Sequence, residues 1–193
     1  MELYGLVLMG GKSERMGEDK SKLVYHKQLS QMENIYNLLN DYCSKTFLSI
    51  NQSKEKESFP YQTLVDLEEN KGPISGILSA FHFKNDVAWL VCPIDMPFVS
   101  KETIDYLLKN RKVEKDCTCF LNSEIQAPDP LLAIYEPTIY TQLIQAKKQG
   151  HRCPKKSILS SNHHMILPLE EKWLFNANTP EQFDKAKNQI KQA

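Results

Sequence analysis

The chain has 193 residues, 41% apolar and 25% charged, with 24 basic and 24 acidic side chains and no formal net charge. Such a length suits one domain over residues 1–193, and the charge balance argues against bulk nucleic acid or an anionic membrane as main partner, since both draw a basic excess. No apolar run nears the roughly 18–20 residues of a membrane span, no signal peptide is evident after Met1-Glu2, and five scattered cysteines suit reduced thiols, so a cytoplasmic protein is expected.

Leu3 to Met9 is a nearly continuous apolar run ending at Gly10-Gly11, the mark of a strand covered on both faces. Leu29, Met32, Ile35, Tyr36, Leu38, Leu39 and Tyr42 recur at helical spacing and predict a helix over residues 28–43. Thr46 to Ile50 reads as a strand that stops at Asn51, and Ser53 to Ser58 as a solvated loop or short helix. Gln62 to Val65 is a third strand, ending at Asp66. Pro73 and the run Ile74 to Phe83 predict a helix with proline in its first turn. Val87 to Cys92 is the clearest buried strand and runs into Pro93-Ile94-Asp95-Met96-Pro97. Ser100 caps a helix carrying Ile104, Leu107 and Leu108.

Further strands are expected at Cys117 to Leu121 and Leu131 to Tyr135, and Pro137 opens a helix that Gly150 closes. His163-His164 sits in another strand, with no ligand partners nearby in sequence. Thr179-Pro180-Glu181-Gln182 carries a capping-box pattern for a C-terminal helix. Alternating strands and helices predict a three-layer α/β/α domain with a mostly parallel sheet. In such sheets ligands bind beyond the carboxyl ends of the strands. Gly10-Gly11, Asn51, Asp66 and Asp95 should therefore converge on one cleft, although each alone is also an ordinary turn residue.

Leu8-Met9-Gly10-Gly11-Lys12-Ser13-Glu14-Arg15-Met16-Gly17-Glu18-Asp19-Lys20 is the motif that favours the cleft. Its three glycines let the backbone approach phosphates and turn N–H groups inward, while Arg15 and Lys20 add fixed positive charge. Neither the Walker A spacing nor the G-x-G-x-x-G dinucleotide fingerprint is present. The pattern L-x-G-G-x-S-x-R-M-G-x-D-K resembles the signature of molybdenum cofactor guanylyltransferases, within the nucleotidyltransferases of glycosyltransferase-A-like, Rossmann-like fold. Asp66 followed by Gly72-Pro73-Ile74-Ser75-Gly76-Ile77 is similar to that family's D…G-P-L-A-G-I segment, and Cys92-Pro93-Ile94-Asp95-Met96-Pro97 to its C-P-x-D-M-P motif. Pro130 to Tyr135 resembles its P-L-x-A-L-Y strand, and Phe175 to Pro180 its F-x-N-x-N-T-P ending.

The resemblance implies an Mg²⁺-dependent enzyme that moves GMP from GTP to the phosphate of molybdopterin and releases pyrophosphate. It assigns Leu8, Met9, Gly10, Gly11 and Lys20 to the nucleotide, Asn51 and Asp66 to its guanine and ribose side, and Asp95 to Mg²⁺. Arg15, Lys20 and Asp95 would carry the chemistry. Met9 stands where the family usually has Ala, which backbone contacts would tolerate. Asn176 and Asn178 stay open between the second substrate and preparation of the helix capped by Thr179. Arg152, Lys155 and Lys156 stay open between the molybdopterin phosphate and an ordinary solvated run. Transient contact with molybdenum cofactor enzymes or their chaperones would follow from such a role. The rivals are a cytidylyl- or sugar-phosphate nucleotidyltransferase of the same fold and a non-catalytic nucleotide-binding module; Gly10-Gly11 and Met96 resemble the guanylyl branch.

Overall fold

The computed structural model describes residues 1–9, 23–25, 29–67 and 72–192. The glycine-rich turn from Gly10 to Lys20, including Gly11 and Arg15, lies outside the described residues. Seven strands form one sheet: β1 Leu3–Leu8, β2 Lys45–Ile50, β3 Thr63–Val65, β4 Ala88–Pro93, β5 Cys117–Asn122, β6 Ala127–Tyr135 and β7 His163–Ile166. Among the described residues six α-helices accompany them: α1 Gln31–Asn40, α2 Pro73–Phe83, α3 Lys101–Lys109, α4 Tyr140–Lys148, α5 Lys155–Leu159 and α6 Pro180–Gln192.

The strand order is β3-β2-β1-β4-β6-β5-β7. Only β6 runs against its neighbours β4 and β5; the other pairings are parallel. The expected three-layer α/β fold with a mostly parallel sheet is therefore present. Side-chain alternation divides the core in two, as the period of two in a strand requires. Leu3, Val7, Leu90 and Cys92 face α1 and α3, where Ile35, Leu39, Ile104 and Leu107 cover them. Tyr4, Leu6, Trp89 and Val91 face α2 and α4, where Ile77, Phe81 and Leu143 cover them.

Four boundaries differ from expectation by more than one residue. Helix α1 begins at Gln31 rather than near residue 28, because Ser30 and Glu33 form a reciprocal cap: the Glu33 N–H donates to Ser30 Oγ and the Ser30 N–H to Glu33 Oε2. Leu29 consequently stays outside the helix and is exposed, and the helix ends at Asn40 before a turn at Asp41-Tyr42. Strand β6 starts at Ala127, four residues before the apolar run, because β5 pairs with it there, Leu121 with Pro128 and Asn122 with Ala127, and backbone pairing does not need apolar side chains. Pro137 opens a short 3₁₀ turn to Ile139, and α4 proper begins at Tyr140. The basic run at Lys155-Lys156, unassigned from sequence, is helix α5.

Candidate active site

The chain reverses its direction of travel across the sheet between β1 and β4. Strands β2 and β3 are added on one side of β1, and β4 then returns to the other side. At such a switch point the loops leaving the two central strands part and open a crevice. Leu8 pairs with Pro93 across it, and the Ile94 N–H donates to the Leu8 carbonyl at 3.1 Å. The turn carrying Asp95 thus leaves the sheet beside the strand end that feeds the glycine-rich segment. Leu8 is buried in the α2-side core and Met9 packs partly against the α1-side core. The Leu8 side chain is thus committed to the core, and that of Met9 is partly so.

Asn51 and Asp66 follow the next two strands outward. The Asp66 N–H donates to the Ile50 carbonyl at 2.8 Å, so the two residues share one rim of the crevice. Asn51 precedes a short 3₁₀ helix, and its side chain makes no capping bond to it. Asp66 accepts a 2.6 Å hydrogen bond from Ser49 Oγ. Burial pushes the Asp66 carboxyl up to about 6, while the Ser49 hydrogen bond and the Lys147 charge pull it down. A cavity of about 460 Å³ lies between α2 and α4 near this rim, with Leu67, Tyr140, Ile144 and Lys147 in its wall.

The opposite rim is built around Asp95, half-buried in its turn. Its carbonyl accepts from the Ala177 N–H at 2.8 Å, and Gln31 Nε2 donates to the next carbonyl, Met96, at 3.2 Å. That backbone bond brings the segment of Asn176 and Asn178, some eighty positions later in the sequence, to the Asp95 turn. Asn176 Nδ2 donates to the Leu174 carbonyl at 3.0 Å. The Asn178 and Thr179 N–H groups both donate to Gln182 Oε1, at 2.7 and 3.1 Å, which forms the expected cap of α6. The Asn178 N–H thus takes part in the cap of α6, and the Ala177 bond holds this segment beside the Asp95 turn.

Two residues near Asp95 escaped the sequence reading. Asp129 is 7% exposed, with Oδ1 accepting from the N–H groups of Leu131 and Leu132 at 2.9 and 3.0 Å. Burial raises its carboxyl above the usual range despite those bonds; Asp95 raises it further and Lys155 lowers it. The charge of Asp95 acts on Asp129, a proximity between residues 34 positions apart that the antiparallel β4–β6 pairing helps bring about. The sole local signal was a charged residue between Pro128 and Pro130. Tyr25 is buried against Phe183, ring centroids 4.6 Å apart, and burial followed by the Asp95 charge raises its phenol. Nothing in the local sequence marks it.

The basic run reaches the same neighbourhood, since Lys155 acts on Asp129 and the Arg152 carbonyl accepts from the Ile74 N–H at the start of α2. His163 and His164 are half-buried on the edge strand β7, where His163 Nδ1 pairs with the Ser161 carbonyl at 3.0 Å. Cys117 and Cys119 are wholly buried in the α2-side core. Among the described residues no group of three or more His, Cys, Asp or Glu side chains could hold a metal. The two carboxylates near the switch point, Asp95 and Asp129, are hard oxygen donors of the type Mg²⁺ takes in ones and twos, with water and phosphate completing its shell. No helix among the described residues is long and apolar enough to cross a membrane.

A profile of the MobA-like NTP transferase domain matches residues 5–165. The chain is 35% identical over 185 residues to a molybdenum cofactor biosynthesis bifunctional protein of Synechocystis sp., covering 94% of this chain and 52% of that protein. It thus spans about half the length of that relative. A probable molybdenum cofactor guanylyltransferase of Flavobacterium johnsoniae is 29% identical over 170 residues, with 88% of this chain and 86% of that one covered. The crystal structure of molybdopterin-guanine dinucleotide biosynthesis protein A from Archaeoglobus fulgidus superposes with a TM-score of 0.81 at 24% identity, covering 98% and 100% of the two chains. At that identity the likeness speaks to the fold.

Proposed function

This chain belongs to the MobA-like NTP transferase domain family, and on that premise we propose that it transfers GMP from GTP to the terminal phosphate of molybdopterin, releasing pyrophosphate. The observation that carries the proposal is the pairing of Leu8 with Pro93 at the switch point, which sets the root of the glycine-rich turn beside that of the Asp95 turn. A nucleotide held by one is within reach of the other. The relatives named above as guanylyltransferases and cofactor-biosynthesis proteins support the choice of substrates. That all seven strands join one sheet supports reading residues 1–193 as one nucleotidyltransferase domain.

The reaction needs no covalent enzyme intermediate, because phosphoryl-type transfer is catalysed by positioning and charge neutralisation. Backbone N–H groups of Leu8, Met9, Gly10 and Gly11 cradle the phosphates, and Arg15 and Lys20 offset the repulsion between donor and acceptor. Asn51 and Asp66 take the guanine and ribose side. Asn176 and Asn178, whose segment is bonded to the Asp95 turn through Ala177, face the second substrate. Asp95 is the residue assigned to hold Mg²⁺, and a bound ion there supplies positive charge against the phosphates in the transition state. Such an enzyme works in the cytoplasm, and passes its product on through transient contact with molybdenum cofactor enzymes or their chaperones.

Purified protein incubated with Mg²⁺, molybdopterin and each of the four nucleoside triphosphates in turn tests this directly. Pyrophosphate release is expected with GTP. Preference for CTP overturns the guanylyl assignment, and release with none of the four leaves only a nucleotide-binding module.

A further inference from the structure

Strand β2 is buried along its length from Thr46 to Ile50, yet it carries a serine at position 49 that is only 5% exposed. A buried hydroxyl is unfavourable unless it is hydrogen-bonded. Ser49 donates to Asp66 Oδ1 at 2.6 Å, a short charge-assisted bond. Ser49 also pairs in register with Leu8, the last residue of β1 before the glycine-rich segment. The bond therefore ties the second rim of the crevice to the root of the first.

Helix α2 is cut to fit around this bond. A Cβ placed on Gly76 would lie 2.3 Å from Ser49 Oγ, 3.2 Å from Asp66 Oδ1 and 3.1 Å from Leu8 Cδ2. No side chain can stand there unless the serine or the helix moves. Glycine inside a helix is unfavourable relative to alanine, so its presence here needs a packing reason, and the Ser49–Asp66 contact is one. Among the described residues no second hydrogen bond reaches the Asp66 carboxylate, and Lys147 on α4 is the charged group that acts on it. The bond holds Oδ1 of that carboxylate in the fold.

We propose that Ser49 is a positioning residue of the nucleotide site, fixing the Asp66 carboxylate in one rotamer through a contact that Gly76 leaves room for. The inference rests on Asp66 meeting the nucleotide, as assigned above. Its chemistry is that of hydroxyl recognition: a ribose hydroxyl donates best to an ionised, oriented carboxylate, and Ser49 supplies both conditions. Burial works against ionisation at Asp66, and the Ser49 hydroxyl opposes that effect.

The test compares Ser49→Ala, Gly76→Ala, their double variant and Asp66→Asn for steady-state GTP kinetics across pH and for GTP affinity by calorimetry. Ser49→Ala removes one oxygen atom, and urea unfolding verifies that the fold persists. The expected result is a rise of roughly tenfold in KM for GTP with kcat within a factor of two, and an acid limb of kcat/KM moved to higher pH; loss of one such hydrogen bond to a charged group carries an effect of that order. The double variant should bind GTP no worse than Gly76→Ala alone, because both changes break the same contact. A folded Ser49→Ala protein with unchanged KM and an unchanged acid limb overturns the inference when Asp66→Asn still weakens GTP binding. Unchanged GTP affinity in Asp66→Asn instead overturns the assignment of Asp66 on which the inference stands.

Discussion

Arg111→Met should cost this protein far more than the loss of an ordinary surface arginine. Arg111 follows α3, and its guanidinium meets Glu136 in a fork, Nε to Oε1 at 2.6 Å and Nη2 to Oε2 at 2.9 Å. The two side chains are 12% and 2% exposed, so water cannot replace the arginine once it is gone. Removing one partner of such a pair leaves an uncompensated buried charge and costs about 3–5 kcal/mol. With a denaturant slope of about 2 kcal/mol per molar urea, the unfolding midpoint should fall by about 2 M. The Arg111→Met/Glu136→Leu double variant should recover most of that loss, because an apolar pair of similar volume needs no desolvation. The pair sits where β6 ends, which antiparallel pairing puts at the amino end of β4, across the sheet from the crevice. KM for GTP should therefore be unchanged wherever the variants are folded. Urea unfolding and steady-state kinetics on the three proteins check this; a loss under 1 kcal/mol, or a double variant no more stable than Arg111→Met, refutes the reasoning.

Lys20→Ala should lower turnover by about 10²–10³, the usual effect of removing one group that stabilises transition-state charge, with the fold intact by circular dichroism. Asp95→Asn keeps the shape of the turn but loses the carboxylate; Mn²⁺ titration followed by electron paramagnetic resonance should show at least roughly tenfold weaker binding, and undiminished binding would remove Asp95 from the metal. The Asp66 carboxyl, raised to about 6 from an ordinary 3.8, makes the folded state hold its proton more tightly than the unfolded state, so its contribution to stability is present below the ordinary value and is lost as pH rises through about 6. Asp66→Asn should therefore be more stable than the parent at pH 8, by about 1–3 kcal/mol, with the advantage gone near pH 4; urea unfolding at both values measures it. That variant should at the same time bind GTP more weakly, a trade of stability for function at one residue.

The sequence carried whatever is encoded within a few residues. Continuous apolar runs located β1 and β4, and caps at Ser100 and Thr179 located α3 and α6, because periodicity and capping are local physics. Polar residues at strand ends singled out Asn51, Asp66 and Asp95, since a parallel sheet must deliver such ends to one edge. The same logic overran at α1, where apolar spacing continued past the Ser30–Glu33 cap that starts the helix. Tertiary structure decided what depends on partners distant in sequence. Asp129 comes within range of the Asp95 charge because β6 folds back antiparallel to β4, and the Ala177 backbone bond brings the segment of Asn176 and Asn178 to the Asp95 turn. Ser49 looked like any residue of a buried strand until Asp66 and Gly76 closed around its hydroxyl. Elements follow from the neighbours along a chain, whereas a site is assembled by register, strand order and packing, which bring together residues whose separation in sequence holds no record of their contact.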